Sequence, residues 1–450
     1  MYGNENPAYP PRPSRESVVE RDYYFRNDSC TYPAVKPKFV NAPTLIIMVG
    51  LPARGKTYIA KKLCRYLNWI GISCRVYNVG AYRRKAVGTD RMHDFFRVDN
   101  VEALEIRKKC ALEALEDVTE WLEGQHRVAI FDATNTTRER RKMLVEHCLD
   151  HQFKVFFVES FCDDPNLITQ TVKEVKIFTP DYTNIDSDRA IEDFKERIKH
   201  YEAVYEPLSD NMEGEGCFSF IKIINAGVQF LVNNVDGYLQ SQVVYYLMNI
   251  HILPRSIYLT THGECNHNLE CEVGGNSSLA ENGTKFSKAL AEFVKDEKIN
   301  DLKVWVSSLD GPRETAGYLP VSSETWRALD YLDCGDCHGT AFKDLAIKFP
   351  GIFTPHKGPL DFTWRYPGGE SYKDMLSRLE PVIMELERQE NVLVVSHRTT
   401  MRCLLAYFLD HNPDEVPGMN VPLHTVYKLT PVAYGCRVEK WSLKEDGTLS

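Results

Sequence analysis

The run Thr44-Leu-Ile-Ile-Met-Val49 leads straight into Gly50-Leu-Pro-Ala-Arg-Gly-Lys-Thr57, and no other stretch constrains the fold as tightly. A short apolar run of this kind suits a strand buried on both faces of a parallel sheet. The following octapeptide satisfies G-x-x-x-x-G-K-[ST]. Its glycines let backbone N–H groups curl around phosphates at the positive end of a helix. Lys56 would reach the β- and γ-phosphates and Thr57 would ligate Mg2+. A Gly-rich turn ahead of a surface helix shares the letters, but the preceding strand supplies the context the phosphate loop requires. The nucleotide-binding candidates are therefore Gly50, Leu51, Pro52, Ala53, Arg54, Gly55, Lys56 and Thr57.

The rest of the chain continues the alternation. A helix is expected at Lys56–Leu67, an extended run at Cys74–Val79, a helix at Val101–Leu122 and a strand at Val128–Phe131. Lys154–Val158 reads as strand, Asp188–Tyr205 as helix and Phe218–Ile224 as strand. Past His251-Ile-Leu-Pro254 a fresh series begins: strands Ser256–Leu259, Leu302–Val306 and Val392–Val395, and helices Tyr372–Arg388 and Thr400–Leu409. Alternating β and α argues for doubly wound parallel sheets, so the fold class is α/β. At roughly 100–200 residues per domain, 450 residues favour two or three domains. The expected division is a flexible Pro-, Arg- and Ser-rich arm over 1–40, one α/β domain over 41–250 and a second over 251–450. No internal repeat relates the halves.

Composition narrows the partners. Hydrophobic residues make up 43% and charged residues 26%, enough apolar material for packed cores. The balance of 54 Lys+Arg against 63 Asp+Glu gives −9, which disfavours nucleic acid and leaves any anion site to local basic clusters. No apolar run reaches the ~20 residues of a membrane span, and Met1–Arg15 has no signal-peptide core. The 13 cysteines lack paired metal-ligand spacing and read as reduced thiols in the cytosol.

A carboxylate ends the strand Val128-Ala-Ile-Phe-Asp132, where a phosphate-loop enzyme keeps its Mg2+-associated acid. Asp132 could orient Mg2+ or act as base toward an acceptor hydroxyl; a helix N-cap is the structural alternative. Thr134-Asn-Thr-Thr-Arg138-Glu-Arg140-Arg141 follows at once, and Tyr82-Arg83-Arg84 follows another strand. Either cluster alone reads as a solvated face. Converging on the carboxyl edge of one sheet, they point to an acceptor that is itself anionic.

Together these segments resemble the kinase half of the 6-phosphofructo-2-kinase/fructose-2,6-bisphosphatase family. Gly50-Leu-Pro-Ala-Arg-Gly-Lys-Thr-Tyr, Tyr82-Arg-Arg, Phe131-Asp-Ala-Thr-Asn-Thr-Thr-Arg-Glu-Arg-Arg, Pro180-Asp-Tyr, Arg255-Ser-Ile-Tyr and Leu379-Glu-Pro-Val-Ile-Met-Glu-Leu-Glu-Arg-Gln-Glu-Asn-Val-Leu carry the resemblance, which covers roughly residues 40–440. It implies a P-loop kinase domain that uses ATP and Mg2+ to phosphorylate the C2 hydroxyl of fructose 6-phosphate. By position it places the sugar phosphate on Arg83, Arg107, Thr134, Arg140, Lys176, Arg197 and Tyr201. It puts Asp132, Lys56, Lys176 and Cys162 at catalytic positions, with Thr57 and Asp132 on the metal. Arginines suit bidentate grip on a phosphate, and Lys176 can neutralise charge on the transferred group. For Cys162 a small apolar filler after a strand is an equal alternative. Thr171 departs from the Asn usual in an ATP-contacting segment.

The second half resembles the histidine-phosphatase (phosphoglycerate mutase-like) fold through Thr260-Thr-His-Gly-Glu264 and Ser396-His397. The resemblance makes His262 the nucleophile, forming a phosphohistidine, and His397 the residue that stabilises the transferred group. Asn268, Gly274, Tyr366 and Arg402 are the retained bisphosphatase substrate positions. The charges around them depart. Thr261 replaces the Arg of Arg-His-Gly, Gly311 falls where another phosphate-binding Arg belongs, Glu272 replaces a third, and Arg398 stands where the family has Gln. His338 aligns with the acid that protonates the leaving oxygen. Losing two arginine forks forfeits roughly 3–6 kcal/mol, on the order of 10²–10⁴ in rate, and losing a general acid a further ~10²–10⁴. Arg313 or a protonated His338 could compensate.

The expectation is a kinase making fructose 2,6-bisphosphate, controlling glycolytic flux, with a weak or inactive bisphosphatase. A fully bifunctional enzyme is one alternative; a second domain that senses a sugar phosphate without chemistry is another. Homodimerisation through the kinase sheet is implied by the family alone. Ser14 and Ser17 beside Arg12 and Arg15 are candidate phosphorylation sites in what otherwise reads as a solvated linker.

Overall fold

The computed structural model describes residues 42–89, 91–178, 180–182, 185–208, 218–251, 255–350, 358–432, 435–442 and 448–449, without the side chains of 174–178 and 187. The expected arm over 1–40 lies outside them. The first half runs β1 (Thr44–Val49), α1 (Lys56–Trp69), β2 (Cys74–Asn78), α2 (Val79–Val87), α3 (Val101–Glu123), β3 (Val128–Asp132), α4 (Arg138–Asp150) and β4 (Lys154–Phe161). It continues through α5 (Pro165–Phe178), α6 (Ser187–Glu202), β5 (Ser219–Ile224), β6 (Gln229–Asn233) and α7 (Gly237–Asn249). The sheet order is β2-β3-β1-β4-β5-β6. The first five strands are parallel, but β6 pairs antiparallel with β5, a departure from the expected all-parallel sheet.

β1 is central, and all six of its residues are buried. Its alternate side chains serve two cores. Ile46 and Met48 pack with Ile59, Leu63 and Tyr66 of α1 and Tyr246 of α7. Leu45, Ile47 and Val49 pack with Leu115 and Val118 of α3 and Leu144 of α4. Helices on both faces explain why β1 reads as an unbroken apolar run rather than an alternating one.

The second half comprises β7 (Ser256–Thr261), α8 (Asn266–Glu270), β8 (Glu272–Val273), α9 (Glu281–Glu297), β9 (Lys303–Val306), α10 (Asp310–Ala316) and β10 (Ser323–Thr325). β11 (Thr340–Ala341), α11 (Leu345–Lys348), α12 (Tyr372–Arg388), β12 (Asn391–Ser396), α13 (Arg398–Leu409), β13 (Thr425–Val432) and β14 (Gly435–Ser442) follow. Its sheet runs β10-β9-β12-β7-β13-β14, with the last two strands antiparallel. β12 and β7 are parallel neighbours in a register that sets Ser396 beside Thr261. The residues that follow, His397 and His262, are thereby brought together.

The halves share a buried polar junction. Glu387 of α12 accepts from Lys62 of α1 at 2.6 Å and from Tyr407 of α13 at 2.9 Å, and pairs with Arg255 between α7 and β7. Tyr66 of α1 donates to Glu380 of α12 at 3.0 Å and stacks on Tyr246.

Candidate active sites

The turn after β1 is shaped by positive φ at Gly50 (136°), Ala53 (56°) and Gly55 (75°). A Cβ at Gly50 would lie 2.4 Å from the Ser160 carbonyl oxygen, so only glycine fits between β1 and β4. Arg54 donates from Nε to the Cys162 carbonyl at 3.0 Å and from Nη1 to the Pro52 carbonyl at 3.1 Å. Gly50, Leu51 and Arg54 thus hold the turn's shape. Pro52, Ala53, Gly55, Lys56 and Thr57 face a cavity of about 1000 Å³. Lys56 folds back to donate to the Leu51 carbonyl at 2.6 Å, and burial lowers its ammonium to about 8.

Asp132, at the end of β3, faces the same cavity and is 2% exposed. Its Oδ2 accepts from the Thr57 hydroxyl at 2.8 Å and from the Asn78 amide at 2.5 Å. Burial pushes this carboxyl up, against the pull of those two donors and Lys56. A hydroxyl and a buried carboxylate this close, at the lip of a phosphate loop, are the hard oxygen ligands that Mg2+ takes.

The sugar-phosphate candidates converge on this cavity. Arg83 arrives on α2, Arg107 on α3, Thr134 after β3, Arg140 on α4, and Arg197 and Tyr201 on α6, and all line the wall. Burial lowers the Arg140 guanidinium to about 10. Lys176 lies on α5 with its side chain outside the described residues. Cys162 follows β4; its carbonyl serves Arg54, burial raises its thiol, and it is not among the described residues lining the cavity. Sequence reasoning gave no task to Asn78, Phe96 or Asp181, nor to Thr430, Pro431 and Val432 at the end of β13, which close one side of the cavity. Asp181 did lie in a quoted segment, whereas the end of β13 carried no local signal.

In the second half, the His262 and His397 rings sit 5.0 Å apart, edge to face. His262 Nδ1 donates to the Gly263 carbonyl at 2.6 Å, which leaves Nε2 with the lone pair. His397 Nε2 lies 2.8 Å from Ser307 Oγ, and that hydroxyl donates to Asp330 at 2.8 Å. Ser307 therefore accepts a hydrogen bond from His397 Nε2–H, a His397–Ser307–Asp330 chain that no local sequence pattern signals. Burial lowers both imidazoles, so both are neutral near pH 7. Thr261 is buried and its hydroxyl finds no partner among the described residues. At Gly311 a Cβ would lie 2.6 Å from Cys265 Sγ and 3.3 Å from His262 Nδ1.

The remaining positions serve the scaffold first. Asn268 Oδ1 accepts from the Cys265 backbone at 2.8 Å. Gly274 (φ 69°) has no room for a Cβ under the His338 ring. Tyr366 packs edge-on to Trp364. Arg402 donates to the Met419 carbonyl at 2.8 Å and the Tyr372 hydroxyl at 2.9 Å, and Arg398 to the Val421 carbonyl at 3.0 Å. His338 is exposed, with Nε2 accepting from the Gly275 backbone at 3.1 Å. Tyr331 also packs against His397, edge-on at 5.6 Å.

Comparison with known proteins accords with both halves. A family model described as 6-phosphofructo-2-kinase matches residues 32–254, and the histidine phosphatase superfamily (branch 1) matches 257–444. Proteins from Pongo abelii and Homo sapiens, each named 6-phosphofructo-2-kinase/fructose-2,6-bisphosphatase 3, are 52% identical over 404 residues. That is 90% of this chain and 78% and 77% of theirs. A 6-phosphofructo-2-kinase/fructose-2,6-bisphosphatase from Aquarana catesbeiana is likewise 52% identical, over 85% of its length. A P-loop site and a paired-histidine site on tandem α/β sheets, with this identity across nine-tenths of the chain, establish that it belongs to the 6-phosphofructo-2-kinase/fructose-2,6-bisphosphatase family.

Proposed function

We propose that the first half phosphorylates fructose 6-phosphate at C2 with ATP, and that the second half is a weakened fructose 2,6-bisphosphate phosphatase. The kinase is carried by one observation: Lys56, Thr57 and Asp132 meet the arginine cluster across a single cavity. The loop's backbone and Lys56 bind the ATP phosphates. Arg83, Arg107, Arg140 and Arg197 hold the sugar phosphate at the far wall, which fixes the acceptor hydroxyl in line. Asp132, kept basic by its burial, accepts the hydroxyl proton or holds the metal. Thr57 and Asp132 would hold Mg2+, which when bound shields phosphate charge. Lys56→Ala tests the reading: fructose 6-phosphate phosphorylation should be lost, and unchanged turnover would sink it.

The weakened phosphatase rests on Thr261 and Gly311. His262 presents a free Nε2, yet two positions flanking it carry no cation, and Arg398 and Arg402 are tethered to backbone carbonyls. A phosphoryl group arriving there would meet neutral imidazoles, so the transition state's charge goes poorly matched. Among the described residues no helix is long and apolar enough to cross a membrane, which fits work on water-soluble metabolites in the cytosol. Pairing of two copies along β6 is supported by that edge strand's exposed Leu231 and Val232 and by Tyr238 on α7.

A further inference from the structure

The cavity holds a second buried carboxylate, to which the roles assigned above give no task. Asp181 lies in the turn Pro180–Tyr182 between α5 and α6 and is 3% exposed. Both its oxygens accept from Arg83 Nη2, at 2.7 and 2.6 Å. Its Oδ2 also lies 3.5 Å from Arg197 Nη1 and 3.9 Å from Arg84 Nη1. Two helices distant in sequence, α2 and α6, are thus joined through one side chain.

Arg83 Nη1 and Arg197 Nε are buried and find no hydrogen-bond partner among the described residues. The Phe96 ring backs both guanidinium groups, 3.7 Å from that of Arg197 and 5.3 Å from that of Arg83. The turn itself is anchored, since Tyr182 donates to Asp193 Oδ2 at 2.8 Å and Asp193 Oδ1 accepts from the His93 backbone at 2.8 Å.

Three guanidinium groups crowded at low dielectric repel one another, and buried charge persists only when paired. One carboxylate against three cations leaves two positive charges, the complement of a phosphate monoester dianion. Asp181 occupies Arg83 Nη2 and neighbours Arg197 Nη1, while Arg83 Nη1 and Arg197 Nε stay without acceptors. Buried donors of that kind are costly until a ligand accepts from them. Accepting the kinase reading, we infer that Asp181 is a positioning residue for the sugar phosphate. It sets the angle at which Arg83 and Arg197 present their open nitrogens to the 6-phosphate and does not touch that group itself.

Steady-state kinetics with ATP and fructose 6-phosphate varied separately test this. Asp181→Ala should raise the KM for fructose 6-phosphate about ten- to a hundredfold, the size of one charged hydrogen bond. The KM for ATP should move by less than about twofold, because the nucleotide loop is a separate group of contacts. Asp181→Asn keeps the shape and should give a smaller rise in the same constant, so the test survives if the alanine variant unfolds. In an Arg83→Ala background, Asp181→Asn should add little, since the two act as one unit. An unchanged KM for fructose 6-phosphate, equal rises in both KM values, or additive effects would overturn the inference. If wild type phosphorylates fructose 6-phosphate and the Asp181 variants match it, this inference alone falls. If wild type does not, the kinase reading falls with it.

Discussion

Returning cations to the second site tests the charge argument where it is most exposed. Thr261 ends β7 next to His262, is 1% exposed, and carries a hydroxyl without a described partner. Thr261→Arg therefore removes an unsatisfied group and restores a guanidinium. One hydrogen bond to a charged group is worth about 1.5–3 kcal/mol, so hydrolysis should rise roughly 10- to 100-fold. Gly311 behaves differently, because a Cβ there would sit 2.6 Å from Cys265 Sγ. Gly311→Arg alone should bring no gain, since the new side chain drives Cys265 against His262. Paired with Cys265→Ala in the Thr261→Arg background, it should add a second step of about the same size. The assay is release of inorganic phosphate from fructose 2,6-bisphosphate labelled at C2, with His262→Ala as the zero. Robust wild-type release, abolished by His262→Ala and indifferent to Thr261→Arg, would refute the reasoning and hand the missing roles to Arg313 or Arg398. Equal rescue by Gly311→Arg with and without Cys265→Ala would refute the packing half of it.

Glu387→Ala strands Lys62 and Arg255 without their carboxylate at the junction of the halves, and calorimetry should show a loss of about 3–5 kcal/mol. Those cations hold the Glu387 carboxyl at about 2 against its ordinary 4.5. Its stabilisation is therefore complete above 4.5 and lost as pH falls toward 2. The melting-temperature gap between wild type and Glu387→Gln should narrow across that window, and a constant gap would mean that the charge is not what stabilises. Leu231→Asp on β6 should turn a dimer into a monomer by light scattering; an unchanged mass would place the contact elsewhere.

Much of the first site was legible because its signals are local. The phosphate loop, its strand and Asp132 each occupy a few consecutive residues whose types are dictated by tight backbone geometry, burial on both faces, or charge at a strand end. Helix Tyr372–Arg388 was read to the residue, its Ser371 cap accepting from the Asp374 backbone. The strand expected to reach Val79 instead stops at Asn78, whose side chain caps α2 by accepting from the Ala81 backbone. Edge strand β6 carries only the three-residue apolar run Phe230-Leu231-Val232, too short for periodicity to mark it as a strand.

What the amino-acid order determined alone is the pair of α/β units, the phosphate loop, the paired histidines and the missing arginines. The units and the loop follow from residue type at short spacing, whereas the histidine pair and the missing arginines follow from the resemblance to the family. Tertiary structure decided what meets across long separations. It joined Asp181 to Arg83 98 residues away and Lys62 to Glu387 325 residues away. It set Ser307 on His397, left His338 exposed, and put Tyr331 edge-on to the His397 ring. Such contacts depend on how sheets twist and helices pack, and a pairwise electrostatic match leaves no periodicity along the chain by which it could be read.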